Sequence, residues 1–159
     1  MKFRNYLTEL SLKKASFQVT MSTSAEFRAK ISTEHGNFIY SAKRFLTEKN
    51  MSMDTTLLAK LGIDGKHEFL WELSFEDAMG RHYQVPTERG TALQVFAAVE
   101  EITRQFLKKY NPKIVTFTAE IGEASRVKLY SLLAKRIMRK GYELYEHVKY
   151  GFYIWVFYK

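Results

Sequence analysis

Two stretches of the sequence hold residues whose types and spacing suit chemistry. The first, YQVPTERGTALQVF (residues 83–96), runs from a strand-like segment ending at Pro86, past Gly90 and Ala92, into a helical pattern. A helix start fed by small residues leaves backbone N–H groups without acceptors beside the positive end of the helix dipole, which suits a phosphate or pyrophosphate. Arg89 adds a mobile cation there. The same residues also read as an ordinary strand-to-helix turn in which Gly90 relieves backbone strain. The second stretch, TAEIGEASRVKLYSLLAKRIMRKGYELYE (118–146), places Glu120 at a strand end, Ser125 and Arg126 at a helix start and Tyr130 one turn on. Tyr130 shares helical spacing with Val127, Leu133 and Ile137, so packing explains it as readily as chemistry does. Ser125 reads most simply as an N-cap. Arg126 suits either a phosphate or carboxylate ligand, or an ion pair at the surface.

Other chemistries are excluded on residue type. The chain has no cysteine, which removes disulfides, thiolate nucleophiles and cysteine zinc sites and fits a reducing cytoplasm. His35, His67, His82 and His147 have no metal-ligand spacing, so no metal is expected. No Ser–His–Asp arrangement can be read from the sequence.

The elements that must position these residues follow from periodicity. Residues 1–14 suit a short amphipathic helix, with Phe3, Tyr6, Leu7 and Leu10 at helical spacing. Strands are expected over 16–22, 26–32 and 37–45, with a turn at His35-Gly36. A short helix is capped at Asp54 or Thr55 and closed near Gly62. Residues 67–77 form a strand with Phe69, Trp71, Leu73 and Phe75 on one face, and 82–86 return as its partner. The stripe Val95, Phe96, Val99, Ile102, Phe106 and Tyr110 marks a helix over 92–110, ended by Asn111-Pro112. Residues 113–119 suit a strand buried on both faces. A helix over 124–140 with Gly141 as its cap follows, and a hairpin around Lys149-Tyr150-Gly151 ends the pattern. These elements fit one α/β domain, residues 1–159, with a mixed sheet of about six to eight strands. The crossover from 82 to 119 should be right-handed, with parallel strands.

With those elements in order, the sequence resembles the GNAT acyltransferase superfamily. There the loop after the fourth strand reads Q/R-x-x-G-x-G/A and cradles the pyrophosphate of acetyl-CoA. The matching window here is TERGTA (87–92), with Gly90 and Ala92 at the small positions and Thr87 in place of Gln or Arg. A later family helix carries A-x-x-L-Y before a Gly-Phe turn, its tyrosine returning a proton to the leaving thiolate. Here RVKLY puts Leu129-Tyr130 in that register, with Arg126 at the common Ala position and Lys-Gly-Tyr replacing the turn. The likeness covers residues 67–158 well and the divergent 1–66 poorly, and is closer to a group of small phage-encoded proteins than to characterised acetyltransferases. It implies a GNAT-like fold: a mixed, mostly antiparallel sheet, helices on both faces and a C-terminal β-hairpin. The central strands should splay near 82–86 and 113–119, leaving a cleft between Gly90 and Tyr130. The resemblance further implies an N-acetyltransferase taking acetyl-CoA, held by Arg89, Gly90, Thr91, Ala92, Ser125 and Arg126. Tyr130 would be its acid, and Glu120, Glu88 and His82 are the candidate bases, with Glu120 the best placed.

Composition keeps two rivals open. Lys and Arg number 25 against 17 Asp and Glu, a net charge of +8 that attracts polyanions. A protein that keeps the fold without the enzyme, acting on a host or phage protein surface, is one rival; a nucleic-acid-binding module is the other. No signature motif supports the latter, although YGFYIWVFY has the aromatic content of a stacking platform. The leading residues MKFRNYLTEL have neither a long apolar core nor a small-residue cleavage site, and no window approaches a membrane span. A cytoplasmic protein is expected, in the infected host if phage-encoded.

Overall fold

The computed structural model describes residues 16–33, 36–50, 52–77 and 89–159. The helix expected in 1–14, His35 and the strand expected at 82–86 lie outside the described residues, as do His82, Thr87 and Glu88. Seven strands are found among the described residues. They are β1 (Ser16–Ser22), β2 (Glu26–Thr33), β3 (Gly36–Leu46), β4 (Phe69–Asp77), β5 (Ile114–Glu120), β6 (Glu143–Lys149) and β7 (Phe152–Tyr158). They lie in the order β1-β2-β3-β4-β5-β7-β6. The helices are α1 (Thr55–Leu61), α2 (Arg89–Tyr110) and α3 (Ala124–Met138). β1 with β2, β5 with β7 and β6 with β7 are antiparallel, whereas β4 and β5 are parallel. β5 thus has β4 as a parallel neighbour, and the roughly parallel strand expected at 82–86 lies outside the described residues. The chain divides into two compact units, residues 1–41 with 75–111 and residues 42–74 with 112–159.

In the first unit, the alternation of β2 buries Phe27, Ala29 and Ile31. The Phe27 ring meets Phe106 and Tyr110 of α2, with centroids 5.7 and 6.0 Å away. The Tyr110 hydroxyl donates to the Thr23 carbonyl at 2.7 Å, tying the end of α2 to the β1–β2 turn. α2 begins at Arg89, three residues before the expected start.

In the second unit, β5 is buried on both faces and pairs with β7 along its whole length, from Ile114↔Tyr158 to Glu120↔Phe152. Period-two alternation sorts its side chains. Ile114, with Ile154 and Val156 of β7 and Leu70 of β4, packs with Leu57 of α1. Phe117, Trp155 and Phe157 turn to the other face, where Tyr130 of α3 lies against Phe117 and Trp155. Helices thus cover both faces of this part of the sheet. α1 is held by local capping: Asp54 Oδ1 accepts the Leu57 N–H at 2.7 Å, and Gly62 closes the helix at φ 69°. α3 stops at Met138, short of the expected 140, because its last bonds tighten. Lys140 N–H donates to Ile137 and Gly141 N–H to Met138, each three residues back, and Gly141 turns the chain away at φ 92°.

Candidate active site

The carboxyl end of β5 and the first turns of α3 gather the second group of sequence candidates. Ile121, Gly122 and Glu123 connect them, and Ile121 N–H donates to the Gly151 carbonyl at 3.0 Å, anchoring the turn to the β6–β7 hairpin. Glu123, not Ser125, holds the N-cap position; Ser125 falls inside the first helical turn. The Glu123 carboxylate does its work through Oε2, which accepts the Glu120 backbone N–H at 3.1 Å and faces Arg126 Nη1 at 3.4 Å. An acidic side chain beside a helix start is also favoured by the dipole.

Arg126 and Tyr130 are four residues apart, so they share one face of α3. Both are buried, at 6% and 2% exposure, which makes Arg126 an interior cation and not a surface one. Its Nε and Nη2 both donate to the Tyr130 hydroxyl, each at 3.3 Å. The Tyr130 ring sits 4.6 Å from the Phe117 ring and 5.9 Å from that of Trp155, centroid to centroid. A continuous polar path therefore runs from the Glu120 main chain through Glu123 and Arg126 to the phenol.

The electrostatics of that path favour a neutral phenol. Burial pushes the Tyr130 hydroxyl above its usual pKa; Arg126 pulls it down, and Glu123 and Glu72 of β4 push it up again, leaving the net shift upward. Burial works against the charge on Arg126, but Tyr130 and Glu123 outweigh it and the guanidinium stays protonated. Glu72 is itself fixed, accepting from Asn50 Nδ2 at 2.7 Å.

The ladder between β4 and β5 is short. Trp71 pairs with Val115 and Glu72 with Thr116, while β5 runs on four residues to Glu120. Among the described residues, Phe117 and the residues after it have no β4 partner. The splay expected near 82–86 and 113–119 involves strand residues outside the described ones. The Glu120 side chain is exposed at the end of β5.

The first group of candidates lies in the other unit. Arg89, Gly90, Thr91 and Ala92 form the first turn of α2, so the small residues sit inside the helix and not in a loop before it. The first four N–H groups of a helix have no acceptor within it, and here those groups belong to these residues. Sequence reasoning missed Glu123 and Glu72. Glu123 had a usable signal, an acid three residues before Arg126 at a helix start; Glu72 had none, since its charge reaches Tyr130 only through the sheet that strand pairing builds. A separate pocket of about 360 Å³, lined in part by Lys60, Lys113, Ile114 and Lys159, lies at the opposite end of β5 and contains none of the candidates. Among the described residues, no three His, Cys, Asp or Glu side chains form a metal-holding group, and no helix is long and apolar enough to cross a membrane.

Comparison with solved structures finds related architectures. FeeM, an N-acyl amino acid synthase from uncultured soil microbes, matches over 91% of this chain and 91% of its own, with a TM-score of 0.52 and 10% identity. The N-acetyltransferase PseH of Campylobacter jejuni matches over 86% of this chain and 70% of its own, at TM-score 0.45 and 10% identity. The AHL synthase LasI matches over 84% and 64%, at TM-score 0.41 and 15% identity. No protein-family model and no curated protein matches the sequence. At these identities the likeness concerns the fold, and the FeeM superposition carries it. The mixed α/β architecture, with seven mostly antiparallel strands and helices, is GNAT-like.

Proposed function

We propose that the protein moves an acyl group, acetyl in the simplest case, from a coenzyme A thioester to an amine. One observation carries this reading above the others: a buried, neutral phenol is gripped at the start of α3 by a cation that cannot accept its proton. Bound acetyl-CoA would supply an activated acyl carbon and a thiolate leaving group. Each unit offers a group of the kind such a substrate needs: the first N–H groups of α2, which have no acceptor within the helix, suit a pyrophosphate, and the Tyr130 phenol suits the thiolate.

In this reading the N–H groups of Arg89, Gly90, Thr91 and Ala92, with the Arg89 cation, take the pyrophosphate. Tyr130 gives its proton to the departing sulfur. Glu120, exposed at the end of β5, takes the proton that the attacking amine must lose. FeeM, named as an N-acyl amino acid synthase, lends the fold a precedent for attaching an acyl group to nitrogen.

Calorimetric titration with acetyl-CoA tests the proposal. Binding in the micromolar range is expected. It should weaken in Gly90→Glu, where a carboxylate is introduced beside the amides, with the circular dichroism spectrum unchanged. Absence of binding at millimolar acetyl-CoA would sink the reading. Saturable capture of a host or phage protein, or nucleic-acid binding with a steep salt slope, would then identify what replaces it.

A further inference from the structure

We infer that Arg126 is a positioning residue: its two-pronged hold on the Tyr130 oxygen turns the phenol proton away from α3, toward the leaving group, and stabilises the phenolate formed when that proton is given up. This rests on the acyl-transfer reading, and it gives Arg126 a different task from binding phosphate.

The argument begins with donor and acceptor capacity. A phenol has one proton to give and lone pairs on its oxygen to receive, whereas a guanidinium has five donors and no acceptor. Arg126 Nε and Nη2 both point at the Tyr130 oxygen at 3.3 Å, so this contact fills the oxygen's receiving side and consumes none of its donating capacity. Among the described residues the hydroxyl meets no acceptor, although it is only 2% exposed. A buried O–H without an acceptor is costly in a packed interior. The arrangement makes sense when an acceptor arrives with the substrate.

The surroundings support the same reading. Across the ring lie Phe117 of β5 and Trp155 of β7, both uncharged. Among the described residues, the charged groups acting on the phenol are Arg126 and Glu123 of its own helix and Glu72 of β4. Arg126 is the single cation among them. Its guanidinium carbon lies 5.4 Å from the centre of the Tyr130 ring, held in place from behind by Glu123. When the amine nitrogen bonds to the acyl carbon and the carbon–sulfur bond breaks, the sulfur takes the phenol proton. The oxygen is left negative between two N–H donors that are already in place, and the proton lost by the amine restores the phenol by way of water or Glu120. No reorganisation of the protein is needed at the moment charge appears.

The test uses the full-length protein carrying a fluorinated tyrosine at position 130, whose phenol titrates nearer neutrality and is followed by fluorine NMR. Arg126→Met should raise its titration midpoint by about one pH unit or more, as expected for removal of a cation in contact. Arg126→Lys, which keeps the charge but loses the fork, should give a smaller rise. With natural tyrosine, thiol release from acetyl-CoA should fall about tenfold or more in turnover for Arg126→Met, with KM changed less than about threefold. An unchanged titration midpoint overturns the inference. So does a raised KM with unchanged turnover, which would make Arg126 a ligand of the cofactor. If the wild-type protein releases no thiol at all, the acyl-transfer reading falls and the titration alone decides whether Arg126 governs the phenol.

Discussion

Tyr130 and Tyr142 are both buried in the second unit, 12 residues apart, and both carry phenols pushed above their usual pKa by burial. Their hydroxyls are used in opposite ways. Tyr142 donates its proton to the Pro112 carbonyl, closing the gap between the end of α3 and the start of β5. Tyr130 receives, from Arg126, and its proton has no described acceptor. Burial and an aromatic ring therefore say little about function in this fold; the direction of the hydrogen bond separates a tyrosine that fastens the chain from one that holds a proton in reserve.

The largest effect expected from breaking this contrast comes from the ring beneath Tyr130. Phe117 is fully buried and touches Tyr130, Trp155 and Phe157. Phe117→Ala should cost about 3–5 kcal/mol in a urea or guanidinium melt, through lost transfer energy and the cavity left behind. A loss under about 1 kcal/mol would mean that the Tyr130 face can collapse onto the gap, and that its ring is not firmly seated.

A smaller effect follows from Tyr130→Phe, which keeps the ring and removes the oxygen. The two donors of Arg126 then face no acceptor there, and an unsatisfied buried cationic donor costs about 1–3 kcal/mol. Glu123, at 3.4 Å, offsets part of this. Adding Arg126→Met should recover most of the loss, since the double variant leaves no donor aimed at the vacated oxygen position. Additive losses in the two single variants and the double would show that the pair is not coupled.

The sequence was legible where structure is set locally. The α1 caps at Asp54 and Gly62, the hairpin turn at Tyr150-Gly151 and the stripe of α2 all follow from residues within a few positions of one another. The start of α2 was misjudged because its first turn, Arg89–Ala92, precedes the apolar stripe that periodicity detects. That β4 and β5 would pair in parallel was not visible for a different reason: strand order is a long-range choice that local pattern does not encode. At the site, the i to i+4 spacing of Arg126 and Tyr130 was visible, but not that both would be buried. Arginine at a helix start normally reaches water. The covering of Tyr130 by Phe117 and Trp155 comes from strands distant in sequence, which the spacing does not show.

The smallest effect sharpens the comparison from the side of Tyr142. Tyr142→Phe removes one donor to the Pro112 carbonyl and should cost about 0.5–1.5 kcal/mol near neutral pH. Its dependence on pH is more telling. Burial raises this phenol from 10.0 to about 12, so between those values the unfolded chain has released a proton that the folded chain still holds. Folding stability then falls as pH rises, because the unfolded state binds fewer protons; the contribution is complete below pH 10 and lost on the way to about 12. Phenylalanine has no such proton, so the advantage of the wild-type protein over Tyr142→Phe should shrink between urea melts at about pH 9 and about pH 11. A constant gap would show that the Tyr142 hydroxyl ionises as freely folded as unfolded. In that case its proton is not committed to Pro112, and the distinction drawn against Tyr130 loses one of its two sides.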